Sequence, residues 1–162
     1  MTAAITTGAG NDMGAQRPRT LDEHLDRSRR LPGCLAHIAD TAAAPAEEPA
    51  RWRAALDAAL DGLDRAWRAH VLADEDPEGF IAESEARAPR MFRALEVQRS
   101  EHRTLDDALD AVRSAVAGAV DEVGVAAARF AVARVTRDLE HHLHLGDCLA
   151  WEIANEDLGD GD

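Results

Sequence analysis

In three long stretches of this chain the apolar side chains return every three or four positions, a spacing that fits an α-helix and rules out a half-buried strand. A helix turns about 100° per residue, so residues three, four and seven apart share a face. From about Ala50 to Asp76 that face carries Trp52, Leu56, Leu63 and Trp67. Between Pro89 and about Val116 it carries Met91, Leu95, Leu105, Leu109 and Val116. From about Val125 to Asn155 it carries Ala131, Val135, Leu145, Leu149 and Ile153. A shorter stripe of Leu21, Leu31 and Leu35 marks an earlier helix, disturbed at Pro32-Gly33 and resuming to about Ala39. Composition agrees: Tyr is absent and aromatics are 4%, which favours helix over sheet.

The punctuation between stripes is equally informative. Thr20 with Glu23 three positions on has capping-box spacing, and the segment 41–49 (TAAAPAEEP) reads as a two-proline linker. Pro77 stops the second long helix, residues 77–88 connect, and Pro89 suits the first position of the third. The segment from Gly118 to Gly124 contains the last reversal. Four helices with short connections predict an all-α, up-down-up-down four-helix bundle. At 162 residues one domain is expected: a disordered segment over 1–18, the bundle over 19–157 and an acidic tail over 158–162.

The charge excludes several functions. Acidic residues number 31 against 18 basic, a net −13, which repels nucleic acid and anionic membranes. No apolar run approaches a membrane span, and the N-terminus lacks the basic and apolar regions of a signal peptide. Cys34 and Cys148 are too few and too distant for a disulfide framework, and read as reduced packing thiols of a cytoplasmic protein. Neither a Gly-x-Ser-x-Gly elbow nor a phosphate-binding glycine loop is present, so hydrolytic and nucleotide chemistry have no support.

Histidine is where the stripes turn unusual. His70 continues the stripe of the second helix, with Asp74 one turn on. His102 sits within the third, with Asp106 one turn on, and His142 within the fourth, with Asp138 one turn before. His24 falls on the first. Reversals near residues 86 and 122 place His70, His102 and His142 at one level of the bundle. A lone buried histidine is usually a satisfied core residue. Several at one level, each near a carboxylate, would each cost roughly 1–3 kcal/mol if unpaired, and one metal ion would satisfy them together. Imidazole with carboxylate suits iron, manganese or zinc and not calcium. His141 and His144 point away from His142 and read as solvated residues or as supports behind a ligand, and His37, out of phase with His24, reads as a surface or helix-end residue.

These residues carry a resemblance. The chain resembles the hemerythrin-like (HHE cation-binding) family, whose order is His, His-x3-Glu, His, His-x3-Glu on four bundle helices. The matching positions are His24 in LDEHL, His70 with Asp74 or the adjacent Glu75 in HVLADE, His102 in SEHRTL, and His142. The ending WEIANEDLGDGD is also similar to that of family members, and the resemblance spans about residues 20–160. It implies a non-haem di-iron site, bridged by carboxylates and capped by imidazoles, that binds or senses O2, NO or peroxide, or handles iron. The implied ligands are His24, His70, Asp74, His102, Asp106, His142 and Asp147. Where the family has a carboxylate four residues after the last histidine, this chain has Gly146, with Asp147 next to it. That departure leaves a single-metal site as a variant, and a metal-free bundle serving as an interaction or small-ligand module as the alternative. A binding or sensing role fits better than an enzymatic one.

Overall fold

The computed structural model describes residues 24, 26 and 28–156. The segments expected to be a disordered leader and an acidic tail lie outside them, as does Leu21. The described residues form helices and turns without a strand. His24, Asp26 and Ser28 are helical and Arg29-Arg30 make a turn. Helix α1 follows over Leu31–Ala43, α2 over Pro49–Glu75, α3 over Phe80–Arg87, α4 over Phe92–Ala117 and α5 over Glu122–Glu156. A single 3-10 turn, Pro89–Met91, leads into α4.

The first break differs from expectation. Pro32 does not disturb a helix; it stands in the first turn of α1, where its missing N–H costs nothing because that turn has no partner for it. The interruption falls at Arg29-Arg30 instead. The other boundaries lie close to their sequence signals. Pro49 opens α2, and α2 ends just before Asp76-Pro77.

Helices α1, α2, α4 and α5 touch in a closed ring, α1 on α2, α2 on α4, α4 on α5 and α5 on α1. The predicted stripes face the interior: Trp52, Leu56, Leu63 and Trp67 on α2, Leu105, Leu109 and Val116 on α4, and Val135 on α5 are all buried. Each such side chain contributes roughly 1.5–3 kcal/mol by leaving water. Two apolar clusters result. The larger runs from Leu31 and Trp52 to Trp67, Leu139 and Leu143. The smaller gathers Phe80 and Ile81 of α3, Leu95 of α4, and Leu149 and Ile153 of α5. The histidines occupy the layer between them. No described helix is long and apolar enough to cross a membrane.

Candidate metal centre

Helical spacing delivers the polar layer. On α2, His70 and Asp74 are one turn apart and both are buried. On α4, Gln98 and His102 are also one turn apart and buried. His142 of α5 and His24 join them at 1% exposure each. Imidazole ring centres of His70, His102 and His142 stand 4.9–5.6 Å apart, so the three rings face one point from three helices.

The donor atoms converge more closely than the rings. His70 Nε2 lies 3.3 Å from His142 Nε2 and 3.5 Å from Asp74 Oδ2. Asp74 Oδ2 is 4.0 Å from His102 Nε2. Donors that share one small cation stand about 3–4 Å apart, and these pairwise separations fall in that range. Two groups of potential ligands are contiguous, His70 with His102 and His142, and His24 with His70 and Asp74. Asp74 Oδ2, His102 Nε2, His70 Nδ1 and His24 Nε2 have no hydrogen-bond partner within the protein. Buried polar atoms left so are costly, and a cation between Asp74 Oδ2 and His102 Nε2 would satisfy both at once. The residues present therefore fit a metal ion.

Outer partners set the tautomers. Glu75 Oε1 is 2.8 Å from His102 Nδ1, and Glu101 Oε2 is 2.9 Å from His142 Nδ1. A carboxylate only accepts, so each Nδ1 carries the proton and each Nε2 turns a lone pair inward, the carboxylate–histidine arrangement typical of metal sites. His24 Nδ1–H donates to Asp74 Oδ1 at 2.7 Å in the same way, orienting that carboxylate. Trp67 walls one side, its ring 5.3–5.5 Å from those of His70, His102 and His142. Phe80 stacks on His24 from the other side at 4.1 Å.

Burial is the largest influence on His70 and pushes its pKa from 6.5 to about 3, against the opposing pull of Asp74. Burial, then the neighbouring His102, brings His142 to about 3 as well. Both are thus neutral, the form a metal needs. Burial alone would raise Asp74, but the hydrogen bond from His24 and the facing imidazoles outweigh it and hold the carboxyl below its ordinary value.

Five of the seven ligands implied by the resemblance come together: His24, His70, Asp74, His102 and His142. Two do not. Asp106 is exposed and accepts a 2.7 Å hydrogen bond from the Trp67 indole Nε1–H, so it braces the wall of the site. Asp147 is exposed, because a residue five after His142 is swung roughly 140° round the helix and α5 continues without the distortion needed to bring it back. Asp138 pairs with Arg134 and Arg137 instead. His37, His141 and His144 are exposed as expected. Cys148 is exposed rather than packed. Sequence reasoning missed Glu101 and Gln98; the signal for Gln98 was a polar residue inside the buried stripe between Leu95 and His102.

No protein-family model, no curated protein and no solved structure matches this chain.

Proposed function

We propose that the chain is a hemerythrin-like metal-binding bundle, its helices running up and down in turn, that holds a single non-haem ion. That ion is offered to a small molecule such as O2, NO or peroxide, or is itself the cargo in iron handling. The observation that carries this reading is the buried trio His70, His102 and His142, with Asp74 beside His70 and His102, while carboxylates hold the outer nitrogens of two of those rings. One ion is favoured over a di-iron pair because the two candidate groups share His70, and Asp106 and Asp147, which would supply further carboxylates, lie outside.

Iron is the ion the resemblance implies, and imidazole with carboxylate donors also suits manganese and zinc. When bound, such an ion supplies a Lewis-acid centre, and iron also a one-electron couple. The chain's own residues do the rest. His70, His102, His142 and Asp74 hold the ion, Glu75 and Glu101 fix two rings, His24 orients Asp74, and Trp67 and Phe80 keep water out. Metal analysis of protein purified without a chelating column, before and after anaerobic loading with iron(II), tests the reading. About one equivalent of metal per chain is expected, lost in His70→Ala and His142→Ala. Protein that stays metal-free after loading would sink this reading and leave the alternative, a metal-free bundle serving as an interaction or small-ligand module.

A further inference from the structure

Gln98 is as buried as the imidazoles, at 1% exposure, and the reading above gives it no task. Its Nε2 lies 3.1 Å from His142 Nε2 and 3.5 Å from the His142 carbonyl oxygen. Because His142 Nδ1–H donates to Glu101, His142 Nε2 is an acceptor, and the Gln98 amide donates to the lone pair a metal would take. Donor atoms sharing an ion with bonds near 2.1 Å stand about 3.0–3.4 Å apart. The head of Gln98 lies at a distance from His142 Nε2 that a hydrogen bond and two donors of one ion both keep. A carboxamide carries oxygen and nitrogen at nearly equivalent positions, and a half-turn about its last torsion exchanges them. The same side chain that donates N–H to His142 can present a carbonyl oxygen to a cation.

Gly146 makes this possible. It is buried on α5, and a Cβ there would stand 2.9 Å from Gln98 Nε2 and 3.6 Å from His24 Nε2. A Cβ at 146 would force the end of the Gln98 side chain to shift from its place beside His142. We infer that Gln98, admitted by Gly146, is a further ligand of the metal through Oε1, so that the centre takes one divalent ion with three imidazoles, one carboxylate and one neutral carboxamide. This inference rests on the metal-binding reading. Among the atoms facing the ion only Asp74 is charged, which leaves a divalent ion at net +1 and a trivalent one at net +2. In a buried layer the smaller uncompensated charge is favoured, so the donor set selects the divalent state.

The test uses the full chain stripped of metal and loaded with cobalt(II), whose visible absorption is several-fold stronger in four-coordinate than in five-coordinate sites. The variants are Gln98→Met, which keeps length and burial without an oxygen, Gly146→Ala, their double mutant, and Gln98→Glu. Wild-type protein is expected to give weak five-coordinate bands. Gln98→Met and Gly146→Ala should each give strong four-coordinate bands and raise the zinc dissociation constant about tenfold. The double mutant should be no weaker than Gln98→Met, because both changes remove one interaction, and Gln98→Glu should restore the weak bands. Wild-type bands and affinity in Gln98→Met would overturn the inference. Circular dichroism checks each fold; should Gln98→Met not fold, four-coordinate bands in Gly146→Ala against weak ones in Gln98→Glu support it, and identical spectra overturn it. Wild-type protein that takes up neither cobalt nor zinc would instead sink the metal-binding reading itself, before any variant is made.

Discussion

Asp106 and Glu101 flank His102 on the same helix, and replacing each with alanine should have opposite consequences. Asp106 accepts the indole N–H of Trp67 and meets no imidazole of the centre among the described contacts, so Asp106→Ala should cost about 1–3 kcal/mol of stability by unpairing that N–H and leave metal affinity unchanged. Glu101 holds the outer nitrogen of His142, so Glu101→Ala should weaken metal binding about 10–100-fold at little cost to the fold. Denaturant midpoints and a zinc competition titration separate the two. Acid acts on the same cluster. In the unfolded chain His70 and His142 take up protons near pH 6.5, whereas folded they do so only near 3. The unfolded state then binds more protons between those values, and the stability present above 6.5 is lost as pH falls. Asp74, with its pKa lowered on folding, adds a loss of the same sign at still lower pH. Metal-free protein should be about 3 kcal/mol less stable at pH 5.5 than at pH 7.5, read from urea midpoints. Midpoints that do not move would mean the imidazoles are not held neutral by burial.

The α2–α3 corner carries Asp74, the carboxylate of the proposed centre, close to a sharp bend. Gly79 is buried there, and a Cβ would stand 2.3 Å from the Ala73 carbonyl oxygen and 3.0 Å from that of Asp74. These are backbone atoms that cannot swing aside, so Gly79→Ala should cost about 1–3 kcal/mol. The same clash moves the last turn of α2, and with it Asp74, so metal affinity should fall in parallel; a variant that loses stability but keeps full affinity would show that Asp74 is positioned independently of this corner. The corner also marks what the chain discloses by itself. Period and proline placement give the helices, because both act within one element, and they put His70, His102 and His142 inward at one level. Contacts between elements have no such period. Glu75 and Glu101 stand next in sequence to a ligand, off the apolar stripe, and reach imidazoles on neighbouring helices. Asp106 has the right phase but meets the indole of Trp67 first, and Asp147 has the wrong phase on an unbroken helix. Gln98 was in phase, yet a polar residue inside a stripe gains meaning only when Gly146 is seen across from it.

The five ionisable groups of the centre divide the interior into two apolar clusters, joined by a layer with unpaired acceptors. A protein so built gives up hydrophobic contact at mid-height, and the chain's net −13 adds self-repulsion that a bound cation relieves. An ion held by α2, α4 and α5 ties both clusters together in the folded state, and the unfolded chain has no assembled site to compete for it. At a free metal concentration one hundred times the dissociation constant, linkage adds about 2.7 kcal/mol. For a chain of this size that corresponds to a rise in Tm of about 5–10 °C. The rise should grow with metal concentration, vanish with a chelator, and be absent in His102→Ala, which keeps the bundle but opens the shell. Scanning calorimetry across a metal series would show it. A Tm that ignores added zinc and iron(II) would mean the polar layer is stabilised by its own hydrogen bonds, with His24–Asp74, His102–Glu75 and His142–Glu101 sufficient to hold it.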